Sequence, residues 1–242
     1  MSRLTATPKS PPQIKPGPKP RKTSVVSRSY HHGNLRAALV SAAIKIVDKR
    51  GPDGLTIRLV ARQAGVSHNA PYHHFRDKGA ILEAATVSCI TAMIDAMRHQ
   101  QHRTRGNSLD KLIAMGVEFV RFAIDHPAEF RLMHRPELRK SRDGCCGGTP
   151  TSPVEAASAN GRTLLLETVR QGQKAGEIRS GDPDTLVLAW WCLVNGYANK
   201  VLNFSHTRPC AGEREPLEIA RDIVQALVEG IRKYNSADGS RN

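Results

Sequence analysis

The side chains best suited to chemistry gather in one stretch: Thr56, Arg58, Ser67, His68, Asn69, Tyr72, His73, His74 and Lys78. They supply hydroxyl, amide and imidazole groups and two fixed cations, with no carboxylate among them. Groups of this kind read base edges and hold phosphates in nucleic acid. Enzyme chemistry would need other company. No paired carboxylates, no Ser/His/Asp order and no Gly-rich phosphate loop stand out, so no catalytic set is visible. Metal binding is equally poorly supported. His31-His32, His68 and His73-His74 lack helical spacing to a third ligand, and His99 and His102, three apart, have none either. No cofactor and no metal are expected. Cys145-Cys146 lie in a Gly-rich stretch beside Arg139, Lys140 and Arg142, where a thiol pKa would be lowered. A plain flexible loop is the simpler reading there. The five cysteines are odd in number and lack CxxC spacing, which points to a reducing, cytoplasmic setting.

The formal net charge of the 242 residues is +14, and it is unevenly placed. Residues 1–32 hold seven Lys/Arg and no acid; residues 33–80 hold eight against three acids; the remaining 162 hold 21 against 19. A field concentrated in the first third of a chain attracts a polyanion, with nucleic acid foremost. For the tail alone, a solvated solubilising role is an equal alternative. The longest uncharged apolar run, 185–199, is shorter than the ~20 residues of a membrane span. The basic N-terminus has no apolar core of a secretory signal behind it. No membrane partner is expected.

These residues must be positioned by helices. Residues 1–29 are rich in Pro, Lys, Ser and Thr, too polar to offset their ordering entropy, and read as a disordered tail; 236–242 read likewise. From Asn34, apolar residues recur at intervals of three and four until Gly51-Pro52. Thr56 caps a short second helix to Ala64. Ala64-Gly65-Val66-Ser67 breaks it, and Ser67 caps a third helix to about Phe75. Asp77 caps a long fourth helix, about 78–98. Further helices are expected over 108–125, 127–134, 154–175, 183–204 and 216–234. Almost no period-two alternation occurs, so the fold class is all-α. A capped helix, a four-residue turn with Gly and a second capped helix is helix-turn-helix spacing.

Here the chain resembles the TetR family of transcriptional regulators. The matching positions are Thr56, Val60, Ala61, Ala64-Gly65-Val66-Ser67, Tyr72, His74, Phe75 and Lys78. Leu59 departs from the pattern, standing where many members carry an acid that completes a capping box on Thr56. The run Trp191-Cys192-Leu193-Val194-Asn195-Gly196 resembles a subgroup with a Trp…His-Gly signature, with Asn195 in place of His. The resemblance implies a three-helix DNA-binding domain over 33–93 and a C-terminal helical regulatory and dimerisation domain over 94–235. It implies phosphate or base contacts from Thr56 and Arg58, base reading by His68 and Asn69 next to Ser67, and phosphate contacts from Tyr72, His73, His74 and Lys78. The implied function is a DNA-binding regulator, most often a repressor, on a palindromic duplex operator. The alternative is an architectural or nonspecific nucleic-acid-binding dimer without an effector.

Two further expectations concern the bundle. Met93, Met97, Met115, Phe119, Phe122, Met133, Trp190 and Trp191 are ordinary core or the walls of a cavity for a small apolar effector. A homodimer is expected through the last two long helices. Gly196 and Ala198 would permit close approach there, and Leu193, Val201, Ile223, Leu227 and Ile231 would supply apolar surface.

Overall fold

The computed structural model describes residues 35–135, 150–203 and 214–233, which form eight α-helices and one short 3-10 helix. The tail 1–29, residues 236–242, His31-His32 and the pair Cys145-Cys146 lie outside the described residues. In chain order the helices are α1 (Leu35–Arg50), α2 (Ile57–Ala64), the 3-10 helix (Ala70–His73), α3 (Lys78–Arg103), α4 (Ser108–Asp125), α5 (Pro127–Met133), α6 (Pro153–Lys174), α7 (Pro183–Asn203) and α8 (Pro216–Ile231). An isolated bridge, Ile178 with Arg232, is the extended pairing seen among the described residues. The fold is all-α.

Most helix starts are set by side chains that satisfy otherwise orphaned N–H groups. Thr56 Oγ1 accepts from Leu59 N at 3.2 Å, Asp77 Oδ1 from Ala80 N at 2.8 Å, and Ser152 Oγ from Glu155 N at 3.2 Å. Asn107 and Asp110 form a reciprocal capping box at the start of α4. Pro127, Pro153 and Pro216 occupy first positions, where the missing N–H costs nothing. α4 runs through the middle of the bundle and packs against α3, α5, α6, α7 and α8; α3 packs against α1, α4, α5 and α6. Trp190 on α7 is buried and donates its indole N–H to Leu112 O of α4 at 3.1 Å. Cys89 is buried in α3. Burial and then the nearby Glu129 carboxylate push its thiol up to about 12, so it remains protonated and serves as apolar filling.

Several boundaries differ from expectation, each for a physical reason. The third element is a 3-10 helix of four residues and not an α-helix from Ser67 to Phe75. Pro71 has no N–H to give to Ser67 O; that carbonyl accepts from Ala70 N at 3.1 Å instead, and Tyr72 and His74 likewise bond three residues back. The Ser67 side chain does not cap it. α3 continues past 98 to Arg103 because its polar end is anchored sideways: Gln100 donates to Glu118 at 3.2 Å and Gln101 to Thr168 at 2.7 Å. α8 stops at Ile231, where the chain turns extended. Arg179 N donates to Ile231 O and Lys233 N to Glu177 O. Ile231 and Ala198, expected on a dimer surface, are instead buried within the chain.

α3 is long and apolar enough to cross a membrane by length and composition, a feature that the run 185–199 concealed. More than half of that apolar window is buried inside the bundle, as for a core helix.

At the base of the bundle α6 comes so close to the start of α4 that only glycine fits. A Cβ on Gly172 would lie 2.6 Å from Ile178 Cδ1 and 2.8 Å from Ser108 Cβ. We expect Gly172→Ala to destabilise the protein by about 1–3 kcal/mol through overpacking, outweighing the roughly 1 kcal/mol gain in helix propensity. Urea unfolding followed by circular dichroism measures it; an unchanged midpoint would show that the contact relaxes freely.

Candidate nucleic-acid interface

The unit that carries the polar cluster is held by its two ends. α2 starts at the Thr56 cap and stops at Gly65, whose φ of 70° lies in the left-handed region. Val66 N then donates to Ala61 O at 3.0 Å and Gly65 N to Arg62 O at 3.2 Å, the paired bonds of a Schellman ending. Val60, Ala61 and Ala64 are buried on the inner face, and Pro71 and Phe75 bury the 3-10 helix beside them. The Arg36 guanidinium lies over the Phe75 ring at 5.2 Å from its centroid, tying the start of α1 to the end of the turn.

With the apolar side chains turned in, the polar ones face out. Thr56, Arg58, Ser67, His68, Asn69, Tyr72, His73 and His74 are all exposed, Tyr72 at 53% being unusually so for a large ring. Lys78 is half-buried, and its Nζ donates to Asp53 O at 3.1 Å. Asp53 also lies 3.7 Å from Arg135 at the end of α5. Arg36 and Asp53 are contributors that sequence reasoning missed, since each acts on a residue distant in the chain and neither sits in a recognisable pattern.

The eight residues named as core or cavity wall are on the inner faces of α3, α4, α5 and α7. Met93, Met97, Met115, Phe119, Phe122, Met133 and Trp190 are buried, and Trp191 is half-buried. Phe119 is the hub, edge-on to Phe130, Trp190 and Trp191 at 5.6, 6.4 and 5.3 Å. A groove of about 870 Å³ between α1 and α3 and a pocket of about 400 Å³ beside α2 are lined by none of the eight. On α7 and α8, Leu193, Val201, Ile223 and Leu227 are half-buried and Gly196 is exposed. Leu188 on α7, exposed at 43%, is a further apolar side chain open to solvent and was not singled out in the sequence. Among the described residues no three His, Cys, Asp or Glu side chains converge as metal ligands.

Residues 39–85 match the family model of bacterial regulatory proteins, tetR family, and 112–206 match that of the tetracyclin repressor-like C-terminal domain. Together the two models cover more than half of the chain. The chain belongs to the tetR family of bacterial regulatory proteins. Over 66 residues this family member is 36% identical to the HTH-type transcriptional regulator BetI of Pseudomonas paraeruginosa, a stretch that is 27% of this chain and 34% of BetI. It thus spans about a third of the length of the curated relatives it matches. Among solved structures it resembles a protein of unknown function from Rhodococcus sp. RHA1, with TM-score 0.69 and 27% identity over 84% of this chain and 98% of that one. It shares its fold with FadR of Bacillus subtilis, solved in complex with stearoyl-CoA, at TM-score 0.63 and 16% identity over 81% and 98% of the two chains.

The left-handed turn of this tetR-family chain can be tested directly. Gly65→Ala should cost about 1–2 kcal/mol, the penalty for a Cβ in that conformation, and Gly65→Asn distinctly less. Equal urea midpoints for wild type and both variants would mean that the turn readjusts without strain.

Proposed function

We propose that this tetR-family regulator is a cytoplasmic homodimer that binds a palindromic double-stranded operator as a repressor and is released by a small, largely apolar effector. The observation that carries the reading is the row of exposed polar side chains on a unit whose backbone is fixed at both ends. Pre-set geometry is what base recognition requires, because a bidentate contact discriminates only when its side chain is held in register. In this reading Asn69 and His68 read base edges beside Ser67. Thr56, Arg58, Tyr72, His73, His74 and Lys78 hold phosphates. The recognition domain occupies about 33–93 and the regulatory domain about 94–235, with α3 shared between them. The 36% identity over 66 residues to BetI, an HTH-type transcriptional regulator, supports it.

One turn reads only a few base pairs, so two copies related by a two-fold axis are needed for a useful operator. The outward face of α7 and α8 suits that role. Leu188, Leu193, Val201, Ile223 and Leu227 leave apolar surface uncovered. A Cβ on Gly196 would meet nothing within 4 Å, so packing within the chain gives no reason for glycine there. For the effector, the ring and Met cluster around Phe119 is the favoured wall. The same fold holds an acyl-CoA in FadR, and the chain's only two tryptophans, Trp190 and Trp191, would report its entry. A ligand that favours one spacing of the recognition turns would weaken operator binding about 5–150-fold.

Selection of bound fragments from a genomic library should return one short palindrome preferred by ~10³ or more over random DNA. An absence of preference would favour the nonspecific, architectural alternative. On the selected site, Asn69→Ala should relax preference at one position, a loss of roughly 1–3 kcal/mol, while Tyr72→Ala weakens binding to all sequences alike. The reverse pattern would exchange their roles. For the dimer, mass measurement at micromolar concentration should find particles of twice the 26.5 kDa chain, and Leu188→Glu should shift them toward single chains. Only 26.5 kDa particles in the wild type would sink the dimer.

A further inference from the structure

Between the C-terminal half of α1 and the outer side of α2 lies the pocket of about 400 Å³, to which nothing above gives a role. Four cations line it, Lys45, Lys49 and Arg50 from α1 and Arg62 from α2, with Leu59 and Gln63 beside them. No carboxylate lines it. Among the described residues none of the four cations makes an ion pair. Helix ends alone explain part of this, since cations in a last turn complement the negative end of the helix dipole. They do not explain why two such ends converge on one concavity, where Lys45 and Lys49, one helical turn apart, already repel each other. Leu59 sharpens the point. It is the third helical residue after the Thr56 cap, the position at which a capping box carries Glu or Gln, and its alkyl side chain leaves the pocket without that acid.

We propose that this pocket binds a multiply charged phosphoryl anion, with Arg62 as the forked donor, the lysines as point charges and the Gln63 amide as a neutral donor. The anion is either a phosphate of the DNA backbone outside the bases read by the turn or a free phosphorylated compound. The inference does not rest on the operator reading, because a free polyphosphate needs no DNA.

The test titrates the full chain with inorganic tripolyphosphate and, separately, with its selected operator duplex, for the wild type, Arg62→Gln and Leu59→Glu. Leu59→Glu puts a carboxylate into the pocket. Leu59 is half-buried against the core, so the capping-box bond it offers to Thr56 offsets only part of the lost packing, and Arg62→Gln, at an exposed residue, is the variant that leaves the fold undisturbed. The basic N-terminal residues also attract polyanions, and the difference between variants is therefore the readout. Tripolyphosphate affinity should fall about tenfold in Arg62→Gln and further in Leu59→Glu. If operator affinity falls as well, with the salt slope reduced by about one, the source is the DNA backbone. If operator binding is unaltered, the ligand is a free phosphorylated compound. If the chain selects no operator yet the variants lose tripolyphosphate, the proposed function fails and the pocket stands. Equal tripolyphosphate affinity together with equal operator affinity and salt slope in all three proteins overturns the inference.

Discussion

Everything in this fold depends on α3 being one unbroken helix that serves two packings at once. It has 26 residues and, at 1.5 Å per residue, a length of about 39 Å. Its first turns, through Ile81, Leu82 and Ala85, are buried next to the helix-turn unit; its later turns, through Met93, Ile94 and Met97, lie deep in the bundle. A helix covered along its length by α1, α4, α5 and α6 cannot be amphipathic in the ordinary one-sided way. That is why its composition mimics a membrane span. Polar atoms inside it are satisfied locally: the buried Thr86 hydroxyl donates to Leu82 O at 2.8 Å. Small residues supply the remaining fit, with Gly161 of α6 leaving room for Ile94.

Once α3 is set, the remaining helices have little freedom. α4 lies along it and receives α7 and α8 on its other side, where Gly116 faces Val194 and Val224 at distances a larger residue would not tolerate. The Trp190 indole bond to Leu112 O then fixes α7 by a donor that would otherwise be buried without a partner. Tyr197 does the same between α7 and the start of α8, donating its hydroxyl to Pro216 O at 3.0 Å. Aromatic side chains thus do two tasks here, filling volume and setting register.

How much of this was legible in the sequence followed the range of the forces involved. Caps and stops act within four residues, so Thr56, Asp77, Gly65 and the first-turn prolines could be read one by one. Pro71 falls in the first turn of the helix expected from Ser67, near the limit of where a missing N–H is harmless. Its missing N–H in fact decides the character of the turn, because Ser67 O then has only Ala70 N to accept. The true end of α3 was not legible, since Gln100 and Gln101 look like solvated residues until Glu118 and Thr168 are brought beside them. Ile231 and Ala198 failed for a related reason. An apolar face of a terminal helix has the same pattern whether its cover comes from the same chain or from another copy. The exposure of eight of the nine polar residues was legible because exposure needs no partner; Lys78 is half-buried and donates to Asp53 O, 25 positions away, which no local pattern shows.

The loop between α1 and α2 shows where motion in the bundle would be felt. It carries Asp53, whose carbonyl accepts from Lys78 at the start of α3 and whose carboxylate lies near Arg135 at the end of α5. The carboxylate is exposed, so that ion pair by itself is weak. Packing is the stronger link. α5 is a short wedge that touches α1, α3 and α4 together, with Phe130 against Phe119 at the centre of the ring cluster. Close-packed interiors transmit displacement rather than absorb it. A shift of Phe119 must therefore move α5 or be resisted by it, and α5 cannot move without pressing on α1, which packs against α2, and on α3, which follows the polar turn. Beside the continuous α3, this seven-residue helix is thus a second route from the cluster to the turn.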